Sequence, residues 1–484
     1  MKQILFILLF VIGISIDAQP PSKFHCRYGG SGYDVGYDVK QTLDNGYIIT
    51  GSTSSFGQGN TDLYLLKLDS MGQVKFQTSF GGYSNDIGKS VIVLADSGFI
   101  MVGYTSSTGI GGYDIFLVKA DKNGVLEWQK TIGGGDWDFA HSLQATSDGG
   151  FIIAGTTYSF GYGSADGYVV KIDAFGNVQW SKTYGGKKDD EFKSVIQTID
   201  GNYALAGYTK SYADSLGDAW IFKIDAAGDS IFSRKIGGNY EDGFNNVIQL
   251  PNNNLYFVGY NKSQTNGSNS INWQYSIDNS SIVVLNNFIG NTNIERYNCS
   301  AVNIKGMVVS VGFNNYLGTS SDANIHVFNP DLSYYVYYPF GLEEKDELFS
   351  ISPTKDKGFV GVGICFGSSS ELNDILFVKT DSLGAYGASI VGIKENNSEK
   401  VDIRLFPNPV SKILNIDLPI YENKNLTYNL ISINGMNIFS GGLSENKNII
   451  DISTFNLSNG LYFIEIYDSK RLITKSKISI IHQE

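Results

Sequence analysis

An aspartate recurs at Asp34, Asp86, Asp138, Asp190 and Asp242, each copy 52 residues after the last. A second series runs through Asp62, Asp114, Asp166 and Asp218, and Asp346 rejoins the first two periods after Asp242. Carboxylates on a fixed period can gather into a ring, and a ring of oxygen ligands could bind Ca²⁺ or a cationic partner. An aspartate in a glycine-rich loop has another use: it accepts hydrogen bonds from turn amides and fixes the loop. On that second reading, removing one destabilises a fold unit rather than abolishing binding. Spacing alone does not separate the two, so any metal stays unknown. A third series, Asp69, Asp121, Asp173, Asp225 and Asp381, opens Asp-x-x-Gly hairpin turns and reads as structural.

Other catalytic signals are poor. The chain has four histidines (His25, His141, His326, His482), scattered and too few for a histidine metal centre. No Gly-x-Ser-x-Gly elbow, HExxH or Walker-type loop occurs. Repeating carboxylates could hide a hydrolytic pair, but no two can be nominated, and no catalytic residue is assigned.

The elements that carry these residues share their beat. Gly-Gly pairs begin at Gly29, Gly81, Gly133, Gly185 and Gly237, and single glycines inside apolar runs fall at Gly51, Gly103, Gly155, Gly207, Gly259, Gly312 and Gly363. A fixed period of this size marks a repeat architecture. In the second unit, Lys89 to Ala95, Phe99 to Thr105, Ile115 to Ala120 and Val125 to Ile132 read as four strands between Asp/Asn/Gly turns. One such meander cannot bury both faces alone. Seven of them predict an all-β fold, a seven-bladed β-propeller, over residues 24–392.

The in-strand glycines then suit close approach between packed neighbouring blades. Phe24, Phe76, Trp128, Trp180, Phe232, Val284 and Val336 share one position on the last strand and read as blade-to-blade packing. Phe24 precedes the first Gly-Gly, so Phe24 to Tyr28 is expected to complete the seventh blade and remove its open edge. In a meander, the 2–3 loop and the Gly-Gly crossover open on one face, which collects both loop-ending aspartate series. If first strands line the channel, Asp34, Asp86, Asp138, Asp190, Asp242 and Asp346 ring its mouth. The pattern breaks at blades five and six, as drift under weak constraint would leave it; a remodelled, ligand-contacting sector is the sharper alternative.

Charge narrows the partners. The net charge is −12. Residues 401–484 carry equal numbers of basic and acidic residues, so the acidic excess sits on the repeats. Such a surface repels phosphate backbones, and nucleic acid is not expected. Lys2, the apolar run Ile4–Ile14 and Ile16-Asp17-Ala18 read as a secretory signal on residues 1–18, cleaved after Ala18. No later stretch reaches transmembrane length. Cys26, Cys299 and Cys365 imply no disulfide framework and read as buried thiols.

Composition shifts at a polar linker, 393–400, and the beat stops. Residues 401–484 hold alternating apolar runs that predict a small β-sandwich. Here Leu405-Phe406-Pro407-Asn408-Pro409, Ile433-Asn434-Gly435, Leu457-Ser458-Asn459-Gly460-Leu461-Tyr462-Phe463 and the Lys475 region follow in order. This segment resembles the C-terminal sorting domain of the type IX secretion system. The resemblance implies export through the periplasm and outer membrane of a Bacteroidetes-type bacterium, by the type IX machinery and its sortase. Removal of the domain and release, or attachment at the cell surface, would follow. The repeats are similar to those of secreted bacterial β-propellers, which supports the fold and says little of function. The expectation is a secreted or cell-surface binding module without a resident cofactor, for glycan or a surface protein. The alternative is a hydrolase of polysaccharide or peptide with a carboxylate pair in the channel.

Overall fold

The computed structural model describes residues 23–386 apart from 213–215, 264–268, 277–280, 286–294, 315–321, 341–344 and 367–372. It also describes 404–480 apart from 407–409, 418–425, 433–436, 444–448, 456, 458 and 469–470. The chain divides into two compact units, residues 1–394 and 395–484.

Among the described residues of the first unit, strands form seven antiparallel four-stranded sheets. The first strands are Asp34–Gln41, Asp86–Val93, Asp138–Ala145, Asp190–Gln197, Asp242–Gln249, Glu295–Val302 and Asp346–Pro353. Each touches the first strand of the next sheet, and Asp346–Pro353 touches Asp34–Gln41. The sheets therefore close a ring with their first strands innermost, which is a seven-bladed propeller. Phe24–Tyr28 pairs antiparallel with Asp374–Thr380 and supplies the outer strand of the last blade, as its position before the first repeat implied.

Blades pack through the outer-strand aromatics. Phe24 is fully buried, while Phe76, Trp128, Trp180 and Phe232 lie partly buried against the cores beside them. Each of the first four sits under the Asp-x-x-Gly turn of the following blade. The turn glycines Gly72, Gly124, Gly176 and Gly228 have φ of +75° to +83°, and an added Cβ would meet the rings of Phe24, Phe76, Trp128 and Trp180. Only glycine suits both demands.

The 1–2 turns, on the same face as the Asp-x-x-Gly turns, are held by a lock that the repeat pattern had not revealed. Lys67, Lys171 and Lys379 are buried on third strands, and each ammonium reaches the aspartate of a short 1–2 turn. The distances are 3.0 Å to Asp44, 2.9 Å to Asp148 and 2.8 Å to Asp356. Lys223 pairs likewise with Asp200. Burying an ammonium is costly unless it is paired and hydrogen-bonded, and backbone carbonyls such as Leu68 O complete the shell.

The second unit holds a three-stranded and a four-stranded sheet. Val410, Leu414 and Ile416 share one apolar core with Leu430, Ile464, Ile466 and Ile478, giving the small β-sandwich expected. Cys26, Cys299 and Cys365 are not joined in a disulfide, and the first and last are buried.

Candidate functional site

Both loop-ending aspartate series lie on one face, but their carboxylates do not line the channel. Asp34, Asp86, Asp138, Asp190 and Asp242 are completely buried at the start of their strands, and Asp346 nearly so. Asp86 shows the pattern: one oxygen accepts from Gly82 N at 2.8 Å and Ser107 Oγ at 2.7 Å, the other from Thr105 Oγ1. Asp138 accepts from Gly134 N and Ser159 Oγ, and Asp34, Asp190 and Asp242 from their equivalents. In the second series, Asp62 accepts from Gly59 N, Asp114 from Ile110 N and Asp166 from Tyr162 N. Burial pushes the carboxyls of Asp62, Asp114 and Asp166 up, and the neighbouring aspartate of the first series adds to this. Asp218 lies 3.7 Å from Lys235.

The two series meet at the first glycine of each Gly-Gly. A Cβ on Gly133 would fall 1.9 Å from Asp114 Oδ1 and 2.8 Å from Asp138 Oδ2. Gly81, Gly185 and Gly237 are pinched in the same way, and Gly29 lies between Asp34 and Asp374. Glycine and aspartate thus share one beat because they are parts of one turn. Among the described residues, no group of three or more His, Cys, Asp or Glu is gathered to hold a metal ion.

What does reach the channel is a residue three places further on. Pairing between the first and second strand skips Tyr37, Lys89, His141, Lys193, Asn245, Asn298 and Phe349, one in each blade. Each is the extra residue of a β-bulge, a device that bends a strand and re-aims a side chain. The in-strand glycines exist for this bulge. A Cβ on Gly51, Gly103, Gly155, Gly207, Gly259, Gly312 or Gly363 would fall 1.8–2.0 Å from a carbonyl oxygen of the bulged strand. The close approach therefore comes from within the same blade, not from the neighbouring blade as the sequence had suggested.

The bulged residues are half-buried and touch across blades. Nε2 of His141 lies 2.7 Å from Oε1 of Glu191, which Lys193 also contacts. Burial opposes ionisation of Glu191, but Lys193 and His141 outweigh it and hold the carboxyl far below its usual range. Burial, with help from Lys193, lowers His141, so its imidazole is neutral at neutral pH. The Lys89 ammonium sits 3.3 Å above the Tyr37 ring, and burial with repulsion from Lys193 pushes it down to about 7. Tyr37 packs against Phe349, and Asn298 donates to Glu347 at 2.8 Å. Arg296 stacks on Tyr260 with its guanidinium 4.9 Å from the ring centre.

A cleft of about 270 Å³ opens between blades two, three and four, lined by Tyr104, Phe139, His141, Tyr158, Glu191 and Tyr208, with Thr156 and Ala165. From it, aromatic contacts climb to the loop-rich face: Tyr104 to Phe139 at 4.9 Å, Phe139 to Trp137 at 6.3 Å, Trp137 to Tyr158 at 6.0 Å. Sequence reasoning had pointed to blades five and six, much of whose loops lies outside the described residues. It missed the bulged set, whose signal was present. These are the positions within an otherwise regular strand where the repeats disagree.

In the second unit, Gly460 opens the strand Gly460–Asp468 opposite Ile480. Tyr462 is buried, opposite Ser432 and Ile478 in the register, and Lys475 stands opposite Glu465 on the neighbouring strand. Pro407, Asn408, Pro409 and Gly435 lie outside the described residues. Residues 404–481 match the family described as the secretion system C-terminal sorting domain. This segment is a type IX secretion sorting domain. The sorting domain directs the chain to the cell surface or out of the cell and into the hands of the type IX machinery. No helix among the described residues is long and apolar enough to cross a membrane.

Elsewhere the likenesses are distant. The regulatory protein FlaEY of Caulobacter vibrioides is 27% identical over 187 residues, covering 33% of this chain and 20% of its own. The chain thus spans a fifth of that relative's length. The β-propeller domain of the Trilobed protease from Pyrococcus furiosus is 10% identical over 73% of this chain and 95% of its own, with a TM-score of 0.41. A puromycin hydrolase is 10% identical over 78% of this chain and 57% of its own, with a TM-score of 0.48. Likenesses at this level carry nothing about activity.

Proposed function

We propose that the propeller is a non-catalytic binding module that works outside the cell and takes a glycan at the loop-face end of its channel. The observation that supports this most is the bulged set. Seven equivalent positions, each re-aimed into the channel, hold five different residue types (Tyr, Lys, His, Asn, Phe) while the lattice around them repeats. Packing alone would favour one repeated residue; a ligand of low symmetry favours a varied set. The aromatic path fits a sugar, whose apolar ring face stacks on aromatic planes while its hydroxyls bond Tyr, His and Glu. Tyr83 and Tyr162, 85% and 81% exposed on the same face, extend the surface beyond one unit. A glycan array probed with the mature protein tests the reading. Binding abolished by Tyr104→Ala together with Phe139→Ala supports it, and no glycan retained on any array refutes it.

A second reading is a hydrolase, and one observation favours it. The channel holds two glutamates whose environments push them apart: Glu191 is held ionised, whereas burial raises Glu347 against the pull of Asn298 and Arg296. Opposed shifts of this kind suit a base and an acid. New reducing ends released from a bound glycan, and lost in both Glu191→Gln and Glu347→Gln, would favour this reading over the first.

A further inference from the structure

We infer that the ligand of the channel is a sugar unit carrying a negatively charged group, a carboxylate or a sulfate. This rests on the glycan-binding reading and deepens it. The inference starts from charge. Around the bulged positions stand Lys89, Lys193 and Arg296 against Glu191 and Glu347, a cationic excess inside a chain whose net charge is −12. The excess is also unevenly paired. Glu191 is already contacted by both Lys193 and His141. Lys89 and Arg296 instead rest on aromatic rings, Lys89 on Tyr37 and within 5.9 Å of Tyr104, Arg296 on Tyr260 and Phe313. Neither makes an ion pair among the described residues, and Arg296 Nε is buried without a hydrogen-bond partner there.

An ammonium drawn out of water and left with an aromatic face recovers only part of its hydration. An anion entering the channel completes what is missing. A cationic ligand would meet three like charges, with only Glu347 to set against them, since Glu191 is already contacted by Lys193 and His141. A neutral sugar could use the walls but would leave Lys89 as it found it. The size agrees, since about 270 Å³ lies below the roughly 300–1,000 Å³ of drug-sized ligand sites and suits one sugar unit. Tyr104 joins the two halves of the site, since it lines the cleft and also faces Lys89. The sugar body then lies against Tyr104, Phe139 and Tyr158 with its charged group turned to Lys89.

Calorimetric titration of the mature protein tests this with matched trisaccharides. Galacturonate, glucuronate and mannuronate trimers are each compared with their own methyl esters, and sulfated with unsulfated galactose trimers. The expected result is at least one charged member bound about tenfold more tightly than its neutral twin. That preference should vanish in Lys89→Met and survive in Lys89→Arg, which keeps the charge. A carboxylate-only or sulfate-only preference identifies which anionic group is read. Neutral and charged twins bound equally would overturn the anionic inference while leaving the glycan reading intact. A preference that persists undiminished in Lys89→Met would overturn the role given to Lys89. No glycan bound in any form would bring down the reading itself.

Discussion

Asp86 and Lys89 stand three residues apart on one strand, and their fates differ. Asp86 is fully buried, repeats in blade after blade, and has its carboxylate enclosed by Gly82, Thr105 and Ser107. Lys89 stands on the bulge, differs from most of its counterparts, and keeps its ammonium at the channel against Tyr37. The residue that repeats serves the turn, and the residue that varies serves the channel. A periodic pattern in a repeat protein thus reports what every unit needs in order to fold. Function is more visible where the pattern lapses.

The largest effect is expected where the bulge itself is blocked. Gly103→Ala would drive a Cβ to 1.8 Å from Ile87 O, a backbone atom that cannot turn aside. A loss of about 4 kcal/mol or more in denaturant unfolding is expected, or failure to fold. A loss below about 1 kcal/mol would mean that the bulge is not imposed by this glycine.

Next come the turn locks on the opposite face. Asp148→Ala leaves the Lys171 ammonium buried with only Ile172 O and Gln179 to bond. Because Asp148 itself is half-exposed, the expected cost is modest, about 1–2 kcal/mol. The same lock sets an acid limit. Hydrogen bonds from Thr146 and Lys171 draw the Asp148 carboxyl down to about 2, below the roughly 3.9 of an unfolded aspartate. Its contribution is therefore full above about pH 4 and lost as the pH falls through about 2. Asp44, Asp200 and Asp356 shift the same way. Acid titration of wild type against Asp148→Ala should show their stability curves converging towards pH 2.

The smallest effect concerns ligand rather than fold. Lys89 titrates near 7 and faces Lys193, Glu191, Tyr37 and Tyr104. Glu191 stays ionised through this range, and burial with repulsion from Lys193 lowers His141 from its ordinary value. Affinity for an anionic sugar should thus fall severalfold from about pH 6 to about pH 8, as Lys89 loses its proton. Calorimetry at both pH values checks this, with a flat profile for Lys89→Met.

The architecture was legible because each unit obeys the same local rules. Phe99–Thr105 was read to the residue, and the closing strand Phe24–Tyr28 was placed correctly from its position before the first Gly-Gly. The channel was not legible in the same way. Simple alternation along Asp86-Ile87-Gly88-Lys89-Ser90 hides the bulge, because the extra residue shifts the register between Gly88 and Ser90. Gly103 signalled a close approach, but only the structure showed that the partner is Ile87 O of its own blade. The Lys67–Asp44 lock was missed because a lysine inside an alternating strand reads as its exposed face.

The division between lattice and channel is tested most directly by melting two single variants of one strand, Asp86→Ala and Lys89→Met. Asp86→Ala strands buried donors on Gly82, Thr105 and Ser107 and should cost about 3 kcal/mol, a drop of several degrees in Tm. Lys89→Met replaces a desolvated cation that folding disfavours, so its Tm should equal or exceed that of wild type. Equal losses in both variants would mean that Lys89 is one more structural residue, and would contradict the account.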